Sequence, residues 1–263
     1  MNMTPSTPPR EGQPLIRMNQ LRKVYRKKNT EFVAVSDVTL DVHAGDMLSL
    51  VGPSGCGKST LLKILSGLHG HEGGTLEIGG GQPFNPGRDV GMVFQQPLLL
   101  KWRTILENVM LPADILKMDK ATARRRATEL LEMVGLGGYG DKMPYELSGG
   151  MQQRAAIARA LLHDPKLVLM DEPFGALDAL TREKMNLEML RIWEQSNKTF
   201  VVVTHSIQEA VFLGSHCAVL TAGPARMADF FPIELPMPRT LQIKTSPEFG
   251  AYVNRIYNLL GVA

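Results

Sequence analysis

Cysteine is scarce in this chain: Cys56 and Cys217 are the only two among 263 residues. Two cysteines make no disulfide framework, and a reducing, cytoplasmic setting is the expectation. No apolar run approaches the ~18 residues that a membrane span needs. The N-terminus lacks an apolar core behind a basic stretch, so no secretory signal is expected. Charge of one sign is also missing. The formal net charge is +3, too small and too dispersed for a nucleic-acid surface, and no nucleic-acid partner is expected. Arg124-Arg125-Arg126 is the one dense basic run; it lies on a helical pattern and is expected on a solvated face. The chain shows no internal repeat. With 44% hydrophobic and 21% charged residues, it has the composition of a soluble globular protein.

What is present centres on Gly52-Pro53-Ser54-Gly55-Cys56-Gly57-Lys58-Ser59-Thr60. This fits G-x-x-x-x-G-K-[S/T] without a gap. An apolar run, Met47 to Val51, precedes it as a buried strand, and Leu61 to Leu65 follows as the start of a helix. The motif needs that context. Its glycines let backbone N–H groups turn inward on phosphate oxygens, and the helix N-terminus adds a partial positive charge. Lys58 offers a full charge to the β- and γ-phosphates, and Ser59 a hydroxyl to Mg²⁺. Cys56 needs only to be small here.

Residues 1–14 are rich in Pro, Thr and Ser and read as a flexible tail. From Leu15 to Val42, Phe32, Ala34, Ser36, Val38, Leu40 and Val42 alternate as in half-buried antiparallel strands. Short strands are expected at Thr75–Ile78 and Val90–Phe94. From 97 to 151 the β-branched runs stop. Ala127, Leu130, Leu131 and Val134 are spaced as one helix face, and Gly135 follows. An inserted helical lobe is the reading. Strand character returns at Leu167–Met170 and Thr199–Thr204. Ser246-Pro247 opens a last helix with Phe249, Val253, Ile256, Tyr257 and Leu260 on its apolar face. The fold class expected is therefore α/β: a P-loop NTPase core, mainly a parallel sheet with helices on both faces, plus an antiparallel β subdomain and the helical lobe. Residues 15–96 and 152–240 form the core, and 241–263 the C-terminal helix.

Ligands of parallel sheets gather at the carboxyl ends of strands. The phosphate loop, Gln95, Asp171-Glu172 and His205 all stand at such ends. Asp171 can reach a Mg²⁺ held by Ser59. Glu172 is placed to polarise a water for attack on a γ-phosphate, and His205 can hydrogen-bond the γ-phosphate and steady Glu172. The other histidines, His69 among them, are left as surface or structural.

Leu147-Ser-Gly-Gly-Met-Gln-Gln-Arg154 offers a second phosphate clamp, with Ser148 capping a helix whose first N–H groups lie bare between glycines. Here the chain resembles the ATP-binding subunits of ABC transporters, over about residues 15–240. The resemblance implies a dimer, of two identical chains by default, with two ATP molecules sandwiched head to tail. Lys58 and Ser59 of one subunit then face Ser148, Gly149 and Gly150 of the other. Gln153 and Asp178 are also carried over as nucleotide-side residues; Asp178, in Gly175-Ala-Leu-Asp178, matches the loop that communicates across the dimer. Tyr25 matches the aromatic that stacks on adenine, although a plain strand tyrosine is the alternative. Gln95 matches the glutamine that senses Mg²⁺ and the membrane partner, with Gln96 one register away.

Phe94–Arg103 and Pro173–Leu180 resemble the nitrate/sulfonate/taurine/bicarbonate importers, with Lys101 where many have Pro. The resemblance implies ATP hydrolysis coupled to solute uptake through two membrane permease subunits and an extracytoplasmic binding protein. It also implies a peripheral position on the cytoplasmic face of the inner membrane. Leu98-Leu99-Leu100 and Trp102 read as part of a groove for a permease helix, or as ordinary packing of the lobe. A soluble ABC ATPase acting on DNA or translation and a P-loop kinase are the rivals. The first usually carries zinc motifs, coiled coils or a second cassette, and the second has no use for Leu147–Arg154.

Overall fold

The computed structural model describes residues 12–27 and 30–261. Most of the expected tail lies outside the described residues; of 12–14, Pro14 is already buried.

The elements run in order as β1 (Ile16–Lys27), β2 (Thr30–Val42), β3 (Met47–Val51), α1 (Lys58–Leu65), β4 (Gly73–Ile78), α2 (Pro86–Asp89) and β5 (Val90–Val93). Then follow α3 (Ile105–Val109), α4 (Leu111–Leu116), α5 (Lys120–Met133), α6 (Gly149–Leu161), β6 (Leu167–Asp171) and α7 (Ala179–Ser196). The chain closes with β7 (Thr199–Thr204), α8 (Ile207–Leu213), β8 (His216–Leu220), β9 (Ala225–Pro232) and α9 (Pro247–Leu260). The strands form one nine-stranded sheet in the order β4-β1-β2-β9-β8-β3-β7-β6-β5. β8, β3, β7, β6 and β5 are mutually parallel, and β4, β1 and β2 are antiparallel.

The two core faces follow from strand periodicity. In β3, Met47 and Val51 face one cluster, and Leu48 and Leu50 the other. β6 divides Val168 and Met170 from Leu167 and Leu169, and β7 divides Phe200 and Val202 from Val201 and Val203. Leu61, Leu62 and Leu65 of α1 and the antiparallel strands cover one face; the lobe, α6 and α8 cover the other. Burial on both sides explains why these strands are continuously apolar.

Local signals set the helix ends. Thr104 and Glu107 make a capping box on α3. Asp119 accepts from Thr122 N at 2.8 Å to start α5, and Gly135 (φ 66°) takes the left-handed turn just beyond it. Ser246 caps α9 through Phe249 N, with Pro247 in the first turn.

Three details depart from the sequence reading. Phe32 is 60% exposed, in line with Thr30 and Glu31, which are exposed at the same end of β2. Tyr257 lies on the outer side of α9, and Tyr252 takes its inner place, stacked on Phe231 at 6.1 Å. Arg126 leaves the solvated face of its basic run, donating to Asp164 Oδ1 at 2.7 Å and thereby tying the lobe to the core.

Candidate active site

Sheet order brings the chemistry together. β3, β7, β6 and β5 are consecutive parallel neighbours. Their carboxyl ends deliver, side by side, the phosphate loop, His205, Asp171-Glu172 and Gln95. Val51 pairs with Thr204, and Asp171 with Val203, so these ends are level.

The phosphate loop is built by close approach. Gly55 and Gly57 have φ of 74° and 116°, a region that side chains disfavour. A Cβ on Gly52 would stand 2.6 Å from Leu220 O, and one on Gly57 would stand 2.7 Å from Ala34 O. Cys56 is buried beneath the loop while Pro53, Ser54 and Gly55 are exposed. Lys58 is only 5% exposed. Its Nζ donates to Gly52 O at 2.7 Å and Pro53 O at 2.8 Å. Neutral carbonyls leave that buried ammonium's charge available to an anion.

Ser59 follows in the first turn of α1 and donates to Asp171 Oδ1 at 3.2 Å; Thr60 beside it is half-buried. Burial pushes the Asp171 carboxyl above its ordinary value, against the pull of the Ser59 hydroxyl; the neighbouring Glu172 raises it further, and Lys58 lowers it. A hydroxyl and a carboxylate in contact are hard oxygen donors of the kind Mg²⁺ takes.

Glu172 has φ 46°, a left-handed conformation that costs a non-glycine residue on the order of 1–3 kcal/mol. Its own N–H to Val203 O (2.9 Å) and Gly175 N–H to its carbonyl (3.0 Å) hold it there. Glu172 Oε2 lies 3.1 Å from His205 Nδ1. A Cβ on Gly175 would stand 3.0 Å from Gln95 Nε2 and 3.5 Å from Glu172 Oε2, so this glycine leaves room for both groups. Gln95, rather than Gln96, is the glutamine that this contact records.

Ser148 caps α6, accepting from Met151 N, and Ser148 and Gly149 are exposed. Gly150 is buried where a Cβ would meet Thr181 Cγ2 at 3.1 Å. Asp178 is exposed and caps α7, Oδ1 accepting from Thr181 N at 3.0 Å; the Thr181 hydroxyl, and then this backbone N–H, hold its carboxyl below the usual range. Gln153, expected on the nucleotide side, lies in the interior. It is 1% exposed and donates to Phe94 O at 2.9 Å, so it faces inward and supports the Gln95 strand end. Arg159, two turns on, donates to Pro97 O and Leu98 O at 2.7 and 2.8 Å. α6 thus holds the glutamine segment on both sides of Gln95.

His69 is the residue that sequence reasoning passed over. Tyr25 Oη and His69 Nδ1 are 2.7 Å apart, with the rings edge to face. Lys23 Nζ stands 5.2 Å from the Tyr25 centroid and pairs with Glu72, which also accepts from Val24 N. The segment after α1 therefore fixes the orientation of Tyr25. No local signal could have shown this, since the two rings are 44 positions apart. Tyr25→Ala is expected to weaken ATP binding by about 1–3 kcal/mol with the fold intact, and Tyr25→Phe to weaken it less. A fluorescent-nucleotide titration checks this; equal affinity of Tyr25→Ala and wild type would remove the stacking role.

Residues 35–175 match the ABC transporter family. The chain belongs to the ABC transporter family. The cassette is 43% identical over 234 residues to an aliphatic sulfonates import ATP-binding protein of Bacillus licheniformis, covering 89% of each chain. It is 41% identical over 248 residues to a taurine import ATP-binding protein of Roseobacter denitrificans, covering 92% of each. Among solved structures it is similar to a dimeric ATP-binding cassette in a post-hydrolysis state bound to ADP and Pi. The TM-score is 0.69 at 34% identity, covering 84% of this chain and all of that one. The cassette is thus an ATP-binding ATPase of the P-loop NTPase fold, as its strand-end site implies. None of its described helices is long and apolar enough to cross a membrane.

Proposed function

We propose that this chain powers an importer of small sulfonate- or taurine-like solutes, as a dimer on the cytoplasmic face of the membrane. The observation that carries this is the geometry of the two half-sites. Lys58, Ser59-Asp171, Glu172-His205 and Gln95 converge on adjacent strand ends, while Ser148 and Gly149 are exposed at a helix tip on the inserted lobe. A second subunit supplies the missing half.

In this reading Tyr25 stacks on adenine, the loop amides and Lys58 hold the phosphates, and Ser59, Asp171 and Gln95 hold Mg²⁺. The metal would neutralise charge developing on the phosphates. Glu172, strained and pinned by His205, positions a water against the γ-phosphate. Ser148 and Gly149 of the partner subunit complete the phosphate cradle, and Asp178 lies near the seam. ATP closes the dimer; hydrolysis and product release reopen it.

Transport needs separate membrane subunits. A groove of about 260 Å³ beside β5 is lined by Met92, Phe94, Leu111, Ile115 and Leu116, which suits an inserted permease helix. Leu98 and Trp102 are exposed but do not line it, and Leu99 packs on the core. Relatives named for sulfonate and taurine import support the solute class. The expected result is that cells lacking this chain lose uptake of labelled taurine or an alkanesulfonate and regain it from a plasmid copy. Undiminished uptake of both would overturn the solute class.

A further inference from the structure

The C-terminal segment between β9 and α9 has no part in the chemistry described above, yet it grips both helices that lead away from the site. α7 starts at its cap Asp178, and α8 starts at its cap Ser206, directly after His205. α8 has only seven residues, so its far end is about 10 Å from His205. Arg239 closes that far end. It is 5% exposed and donates to Phe212 O at 2.7 Å, Gly214 O at 2.9 Å and Val211 O at 3.3 Å, and to Ile233 O at 3.3 Å. Burial lowers its guanidinium to about 10, which leaves it charged at neutral pH. A cation on the last carbonyls of a helix is favoured by the helix dipole.

Five residues on, Lys244 joins the two helices. Its Nζ lies 4.7 Å from the centroid of Phe212, at the end of α8, and pairs with Glu183 in the second turn of α7. On the same stretch of α7, Arg182 donates to Leu177 O at 2.9 Å, tying that helix to the loop after Glu172. Inside α8, the buried Glu209 accepts from Thr204 Oγ1, which itself accepts from Ser206 N at 3.0 Å. Contacts therefore run from Lys244 through α8 to Thr204 and Ser206, the chain neighbours of His205, and through α7 to Leu177, the chain neighbour of Asp178.

We propose that Lys244 and Arg239 are positioning residues for ATP hydrolysis, a crossbrace that keeps His205 and the Asp178 loop in register with each other. The proposal rests on the reading of His205 as a site residue. A displacement of about 1 Å at a reacting group can cost on the order of 10²-fold in rate, so a loosened brace acts on kcat. KM for ATP should hold, because Tyr25, Lys58 and the phosphate loop do not touch the brace.

The test uses the full chain and steady-state ATPase assays over a range of ATP concentrations, with thermal midpoints measured alongside. Lys244→Glu sets like charges against each other and should lower kcat roughly tenfold at unchanged KM. Glu183→Lys should do the same, and the double exchange Lys244→Glu/Glu183→Lys should recover kcat to within about twofold of wild type. Should Lys244→Glu not fold, Lys244→Met against Lys244→Arg carries the comparison: Arg retains turnover and Met loses it. Wild-type kcat in Lys244→Glu, a loss that the exchange fails to restore, or equal rates in Lys244→Met and Lys244→Arg would each overturn the brace. His205→Ala separates the two readings. Full turnover in that variant removes His205 from the site, whereas a dead His205→Ala beside a fully active Lys244→Glu removes only the brace.

Discussion

Glu172→Gln is expected to lower steady-state ATP turnover by about 10²–10⁴-fold while nucleotide still binds. The side chain keeps its shape and can still meet His205, but it loses the charge that polarises water. The main chain is indifferent to the change, because the strain at φ 46° is borne by the backbone and its bonds to Val203 and Gly175. In the proposed site, binding rests on other residues: Lys58, whose ammonium sits in the loop, and Tyr25, hydrogen-bonded to His69. The variant should therefore accumulate with ATP bound. Phosphate release and nucleotide retention measured on the same sample check both halves. Wild-type phosphate release would remove Glu172 from the water-positioning role.

Ser148→Arg is expected to abolish the ATP-driven dimer and, with it, nearly all turnover. Ser148 and Gly149 lie exposed at the start of α6, where a small side chain and bare amides suit a phosphate brought by another subunit. Arginine there adds bulk in the seam and removes the Ser148 cap, a loss of about 0.5–2 kcal/mol in helix stability. The cap loss is controlled by Ser148→Ala, which should cost stability without blocking association. Light scattering of Mg·ATP-loaded protein in the Glu172→Gln background reads the result. A dimer that persists in Ser148→Arg would mean that the α6 tip lies outside the seam.

The two expectations differ in what they require of the chain. The first concerns groups on neighbouring strands of one subunit, and the structure already shows them touching. The second concerns groups on separate subunits. Relatedness to a dimeric cassette and the exposure of the α6 tip are what support it.

Much of this was open to reading from the sequence alone, for a definite reason. The phosphate loop, Asp171-Glu172, His205 and the Ser148 helix start each depend on backbone geometry over a few adjacent residues. Glycine spacing, an apolar run and a capping side chain encode such geometry locally. Even the division of β3, β6 and β7 between two core faces is a consequence of their period. Tertiary structure alone decided the pairings across long separations: His69 with Tyr25, Gln153 with Phe94 O, and Lys244 with Glu183 and Phe212. It also turned Gln153 inward, against Phe94 O, and set Tyr252 rather than Tyr257 against Phe231. These long-range partners, 32 to 61 positions apart, meet only because the sheet order and helix packing bring them there.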